Sequence, residues 1–452
     1  MKLLSRIDEM PPRATLFVLA LQWFIIMMPS ALIYGMIVAP MLYHDPAQQI
    51  QVLQAIFVVS GIFQIVQVYI GHRLPVGVGP TGILIIGVGA GLAYSTNAVF
   101  TSTIVCGLII CGLALAKAHR FLKKLFTFNI ILTALLLGCF AVTPMILSLI
   151  IPTTQVAHPA DYLIFVILFT LFIIGLSGIL KGMAKQLLLP IVMVIGVVLY
   201  VLVFPFTPPV ISTVPLGLFT GIAPTGFELS PWLIVAFFFC YFTLLVVDFS
   251  ALESMELELE PEGMDTRFRR GMAVTGLSSI AAGFVGGIGC ANSCFSMNIV
   301  QASRQASRYP LAVSGALFIL IGCSPLVVST LMAIPTIVIA CLFIYLLGGM
   351  FAATVNLAKE RTRGINYNSG LVIGVSLIFA ILIAFLPVTT KDLMSTRIEP
   401  LLANAFIVGI FSALVIEHIF FRGQAEKEER HEEDEEKKIA DAIQQEHERI
   451  AR

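Results

Sequence analysis

The sequence predicts an all-α polytopic membrane protein of about fourteen transmembrane spans, two of them broken. Three observations carry the prediction. The composition is 58% hydrophobic and only 12% charged, with a mean hydropathy of +0.96, whereas a soluble domain carries about 25% charged residues. The basic residues alternate between the two sides of the apolar runs. Two glycine-rich segments interrupt those runs at matching places in the two halves of the chain.

The spans come first. Apolar stretches recur from Leu16 to Phe421, each near the roughly 20 residues that cross about 30 Å of hydrocarbon. Between them lie basic clusters: Lys2/Arg6/Arg13, Arg73, Lys117/Arg120/Lys123/Lys124, Lys181/Lys185, Arg267/Arg269/Arg270, Arg304/Arg308 and Lys359/Arg361/Arg363. The alternate loops have none, apart from Lys391 and Arg397. By the positive-inside rule both termini are cytoplasmic and the span count is even. The expected location is the plasma (inner) membrane. The opening MKLLSRIDEMPPR has no apolar core before Pro12, so no cleavable signal peptide is expected. The tail from Arg422 is charged throughout and reads as a solvated cytoplasmic segment.

Catalytic and metal chemistry find little purchase. The eight cysteines lie in or beside apolar segments, without C-x-x-C spacing, and read as small packing residues. The seven histidines (44, 72, 119, 158, 418, 431 and 447) fall in loops, at span ends or in the tail. No metal, no cofactor, no nucleic-acid partner and no enzyme activity are expected.

The broken spans are HRLPVGVGPTGILIIGVGAG, residues 72–91, and GFVGGIGCANSCFSMNIVQASRQASR, residues 283–308. In each, a short extended stretch precedes a short helix. Pro80 suits a first helical turn, and Asn292 or Ser293 can cap the second helix. Irregular backbone at membrane depth is tolerated only against protein or a watery cavity. Broken spans at equivalent places in two halves point to a transport site, toward which both half-helices aim their amide ends. Gly77, Gly79 and Gly82 also satisfy G-x-G-x-x-G. No acid lies between Asp45 and Asp161, so the acidic residue that a dinucleotide site needs is missing.

Asp248 stands out. Trp232–Val247 is too short to span, so the helix continues and the carboxylate lies at or inside the membrane boundary. Intramembrane acids are functional candidates by default, and a carboxylate balanced between desolvation and half-helix dipoles can take and release a proton. The competing reading is a structural hydrogen bond or snorkelling to the interface. Glu253, about 140° around the helix, is the second proton-coupling candidate, against an interfacial role. Glu417 and His418, near the end of the last span, read as interfacial.

These segments resemble the nucleobase–ascorbate transporter family, whose bacterial members include uracil and xanthine permeases. PPRATLFVLALQWFIIMMPSALIYGMIVAPML is similar to that family's first span, and RLPVGVGPTGILI to its third. GMAVTGLSSIAAGFVGGIGCANSCFSMNIV is similar to its ninth and tenth, with residues 292–298 on the family's N-T-T-Y-x-E-N. The resemblance covers most of residues 12–421. It implies two inverted seven-span repeats. A core domain would comprise residues 14–117 and 231–331, and a gate domain residues 118–207 and 335–421. These would be flanked by a cytoplasmic N-terminus (1–13) and a tail (422–452). It further implies substrate between the broken third and tenth spans, proton or sodium coupling, and a homodimer.

The same resemblance nominates Asp248 as the substrate anchor. Gln22, Trp23, Gly79, Thr81, Gly82, Phe295, Ser296, Met297 and Asn298 would complete the site. Departures are clear: Met297 replaces a family glutamate, Val300 a glycine, and Trp23 and Leu252 replace histidines. The family's pocket aromatic of span three falls near Gly82. Met297 is either an apolar wall or a sign that the register is displaced by one or two. Ser296 and Asn298 serve the half-helix start or the substrate. The expected function is secondary-active transport of a nucleobase or similar polar heterocycle by an elevator-like movement. The alternatives are an anion carrier on the same architecture, as in sulfate-permease-type exchangers, and a channel.

Overall fold

In the computed structural model the described residues are 4–421, apart from 93, 118–126, 142, 152–158, 182–183, 185–186, 207–210, 218, 220, 223, 294–295, 361–365, 387–401 and 403. The predicted charged tail lies outside them.

The first half of the chain runs α1 (Arg13–Leu42), α2 (Pro46–Tyr69), β1 (Val78–Pro80), α3 (Gly82–Ala90), α4 (Thr96–Leu115), α5 (Phe128–Ala141), α6 (Thr143–Ile150), α7 (Pro159–Ile179) and α8 (Leu188–Val203). The second runs α9 (Pro231–Leu259), α10 (Met264–Val285), β2 (Cys290–Asn292), α11 (Ser296–Ser303), α12 (Tyr309–Gly322), α13 (Pro325–Met332), α14 (Thr336–Glu360), α15 (Tyr367–Ala384) and α16 (Ala405–Val415), which ends in a π-helical turn, Ile416–Phe420. Helix starts follow local chemistry. Asp45 accepts from Ala47 N–H with Pro46 in the first turn, Ser95 caps α4, Ser324 caps α13 and Asn404 caps α16.

Seven described helices are individually long and apolar enough to cross a membrane. The remaining crossings are shorter, broken or, like α10 with its arginines and serines, shielded by neighbours. α13 folds back at 86° to α12. In chain order, the crossings α1, α2, β1–α3, α4, α5–α6, α7 and α8 are followed by α9, α10, β2–α11, α12, α14, α15 and α16. This is the predicted all-α architecture with breaks at the third and tenth positions.

The inverted repeat is visible in the packing. α2 packs on α12 and α4 on α10. A Cβ on Gly315 would stand 2.7 Å from the Gly61 carbonyl, and one on Gly107 would stand 2.8 Å from that of Gly276. The motif repeats one heptad on: Gly322 presses on Gln54 and Val58, and Gly283 on Phe100 and Ile104. Small residues let membrane helices approach backbone to backbone. The same device thus recurs at equivalent places in both halves.

α1–α4 and α9–α12 pack among themselves. α5 packs with α15 and α16, and α14 with α6, α7 and α8. Where the two sets meet, the Tyr34 and Phe343 rings pack edge to face, with centroids 5.7 Å apart at 85°. Asn404 Nδ2 donates to the Ile86 carbonyl at 3.3 Å.

The interfacial reading of Glu417 is corrected. Its side chain is buried, 2% exposed, and accepts from Asn129 Nδ2 at 3.1 and 3.2 Å. It sits within the π-helical turn and packs against α5; such turns are frequent at functional sites. Glu417→Leu should lower the melting temperature, because the Asn129 amide then lacks an acceptor, a loss of about 1–3 kcal/mol. The double variant with Asn129→Leu should recover part of it, as a thermal-melt mutant cycle would show.

Candidate functional site

The two broken spans meet at their extended ends. β1 and β2 pair antiparallel with Val78 opposite Asn292, Gly79 opposite Ala291 and Pro80 opposite Cys290. Beyond the pairs, Ser293 N–H donates to the Gly77 carbonyl at 2.8 Å. The strands cross in the interior, and from the crossing α3 and α11 run away in opposite directions, each with its amide end at the centre. Thr81 caps α3 through Ile83 N–H. Ser296 Oγ accepts from Gly77 N–H at 3.0 Å and donates to the Ser293 carbonyl at 2.7 Å, so it serves the half-helix start.

Extended backbone inside a membrane leaves amides that the ladder does not pair. Two side chains take up those of the cross-strand pair Val78–Asn292. Gln64 Oε1 of α2 accepts from Val78 N–H at 3.3 Å, and its Nε2 donates to the Leu311 carbonyl at 2.8 Å. Asp248 of α9 accepts from Asn292 N–H at 2.5 Å through Oδ1 and from Thr275 Oγ1 at 2.6 Å through Oδ2. The carboxylate is 1% exposed. It binds α9, α10 and β2 together.

The polar chain continues. Gln67 Nε2 reaches the Gly271 carbonyl at 3.0 Å and Thr275 Oγ1 at 3.5 Å, while its Oε1 accepts from His72 N–H at 3.3 Å. His72 is fully buried. Its Nδ1 accepts from Leu74 N–H at 3.0 Å, and Nε2 faces the Asn292 amide without a well-formed bond. Arg267 closes this end by donating to the carbonyls of His72 and Arg73 at 3.0 and 2.9 Å. Arg308 pairs with Asp8 at 2.8 Å and donates to the Val68 carbonyl at 2.6 Å.

The opposite face of β1 meets α1. A Cβ on Gly77 would stand 3.0 Å from Met27 Cε and 3.4 Å from Trp23 Cζ3, and one on Gly79 would stand 3.7 Å from Met27 Cε. Trp23 therefore packs on the crossing, with Gln22 half-buried beside it. At Gly82 the neighbour is Tyr34, whose Cε1 would be 3.3 Å from an added Cβ. Thr81, Gly82 and Ser293 are half-exposed, although the strands beside them are buried. The residues at or just before each half-helix start are therefore partly accessible, although Ser296 itself is buried.

The predicted residues distribute unevenly. Asp248, Trp23, Gly79, Thr81, Gly82 and Ser296 gather at the crossing. Met297 is buried in the apolar core. Glu253 is half-buried, nearer the end of α9. Phe295 and the Asn298 side chain lie outside the described residues. Gln64, Gln67, Thr275 and Tyr34 were not among the residues that the sequence singled out, and Asn292 and His72 were read only as a helix cap and a loop or span-end histidine. Gln64 and Gln67, three apart in an apolar run, carried a readable signal.

A helical membrane domain with two crossed half-spans is the architecture of a polytopic carrier. The family model described as the Permease family, of xanthine and uracil permease type, matches residues 14–389. The chain belongs to this family, the nucleobase–ascorbate transporters, and is a membrane transporter rather than an enzyme. YwdJ of Bacillus subtilis (strain 168), provisionally named a purine permease, is 24% identical over 421 residues, 87% of this chain and 93% of that protein. CPE0397 of Clostridium perfringens (strain 13 / Type A), likewise provisionally named, is 24% identical over 281 residues, 60% of each. The fold is shared with the transmembrane domain of the cyanobacterial bicarbonate transporter BicA, at TM-score 0.57, 12% identity, and 90% and 98% coverage of this chain and that one. It is also shared with the murine Slc26a9 anion transporter in its inward-facing state, at TM-score 0.59, 13% identity, and 92% and 70% coverage.

Proposed function

We propose that the chain carries a purine or similar planar nucleobase across the inner membrane, coupled to protons. The observation that carries this reading is a buried carboxylate, Asp248, beside two half-helix starts in a chain whose relatives are named for purines. Each carboxylate oxygen has a second lone pair beyond the bond it already accepts. A substrate N–H or a proton can use one. Protonation removes the charge that strengthens the Asn292 N–H bond, so it loosens the hold of α9 on β2 and links proton binding to the shape of the site. Gln22, Thr81, Gly79, Gly82 and Ser296 complete the pocket, with Trp23 and Met297 as apolar walls. Glu253 is the proton's way-station toward the cytoplasm.

Residues 14–117 and 231–331 form the moving core, and residues 118–207 and 335–421 the gate. The separate packing of the two helix sets supports an elevator-like movement. Both termini are cytoplasmic and the protein works as a homodimer. An anion carrier is the second reading, favoured by the bicarbonate and anion transporters that share the fold. A buried carboxylate at the centre opposes an anion.

The test is uptake of labelled purines and pyrimidines by proteoliposomes. Accumulation under an inward proton gradient, abolished by a protonophore, is expected. Accumulation driven by sodium alone would change the coupling ion. Uptake of bicarbonate or sulfate but of no base would defeat the reading.

A further inference from the structure

We infer that Tyr34 of α1 is the aromatic wall of the site and selects planar heteroaromatic rings. The inference rests on the nucleobase reading above and narrows it to substrates with a π face.

Four observations carry it. Tyr34 lies over the first residue of α3, where Gly82 has no side chain; an added Cβ would stand 3.3 Å from Cε1 and 3.8 Å from both Cζ and Oη. The ring is half-exposed, while its neighbours Leu32, Ile33, Gly35 and Met36 are buried. It is therefore partly accessible at the same place as Thr81 and Gly82, which are intermediate in exposure too. The buried ring of Phe343 meets it edge to face, at 85° and 5.7 Å, and helps hold it in place.

The chemistry follows from this placement. The α3 amides and Thr81 offer polar partners along one edge of a ligand, and the tyrosine ring offers a face. A flat heterocycle uses both. A small anion uses only the amides. Stacking on an aromatic ring is tolerant of which base is bound, because every base has a π face. The wall thus sets ring against non-ring, and the polar edge sets purine against pyrimidine. Tyr34 also joins the two helix sets, since Phe343 lies on α14. A stacked ligand therefore stiffens the seam that translocation must shear.

The experiment is binding to the purified full chain in detergent, with hypoxanthine, adenine, uracil, bicarbonate and sulfate as probes, read by calorimetry and thermal shift. Wild type and Tyr34→Phe should bind at least one base with affinities within about threefold of each other. Tyr34→Leu keeps an apolar side chain and loses the π face, and should weaken base affinity by about tenfold or more. If Tyr34→Leu melts without ligand well below wild type, Gly82→Ala replaces it. Its methyl displaces the ring by a few tenths of an ångström and should also weaken base binding. Wild-type affinity in Tyr34→Leu, or in Gly82→Ala where that stands in, overturns the wall while leaving the nucleobase reading intact. Wild type that binds an anion and no base overturns both.

Discussion

Asp248→Asn will leave the protein folded and will abolish coupled uptake. The isosteric amide can turn its oxygen to Asn292 N–H and its NH₂ to Thr275 Oγ1, so the scaffold bonds at 2.5 and 2.6 Å keep partners. The charge and the exchangeable proton are gone. Uptake should fall by about a hundredfold or more, in line with the loss of an interaction made only during translocation, and the residue should show no pH dependence. Asp248→Ala makes the contrasting case. It leaves a buried backbone N–H and a buried hydroxyl without an acceptor, each worth about 1–3 kcal/mol, and should cost stability as well as transport. Melting temperature separates the two variants, and proteoliposome uptake against external pH tests the first. Asp248→Asn protein that transports with an unaltered pH profile would reduce this carboxylate to a purely structural bracket.

Gly61→Ala and Gly107→Ala will both destabilise the protein, and by similar amounts. At Gly107 the new methyl would stand 2.8 Å from the Gly276 carbonyl and 2.9 Å from Ile280 Cγ1. At Gly61 it would meet the carbonyl of Gly315, with Ile319 Cγ1 at 2.8 Å. Backbone oxygen cannot move aside as a side-chain tip can, so each helix pair must separate. Overpacking of this kind costs about 1–3 kcal/mol, and here it also loosens neighbouring contacts along the whole crossing. Gly175→Ala and Gly374→Ala, where an added Cβ meets nothing within 4 Å, serve as controls and should melt like wild type. Unequal losses at Gly61 and Gly107 would mean that the two halves do not share one packing rule.

Much of the architecture is legible in the sequence because a bilayer allows few choices. Apolar runs of span length, basic loops on alternate sides, and glycine–proline breaks at residues 72–91 and 283–308 determine the crossings and the two interruptions. Asp248 is legible for the same reason, as a carboxylate where carboxylates are costly. Its partners are not. Thr275 is 27 residues away and Asn292 is 44, and nothing local joins them. Tyr34 reads as one more aromatic in an apolar helix, because its meaning depends on a glycine in another span. Glu417 misleads since its place near the end of a run implies the interface, whereas its partner Asn129 lies 288 residues away in the chain.

The bonds that hold the strand crossing have a mechanical consequence. Gln64, Asp248, Thr275 and Ser296 all belong to the helix set that carries the two broken spans, so the site can travel as cargo and crate together. The described contacts across the seam are of another kind. They include one neutral hydrogen bond, Asn404 to Ile86, and one edge-on ring pair, Tyr34 to Phe343. Each is worth about 1 kcal/mol. Apolar surface that slides past apolar surface exchanges one neighbour for an equivalent one. For the proposed movement of one set against the other this means friction rather than locks, and the rate of return should depend on the seam contacts more than on the strength of the binding site.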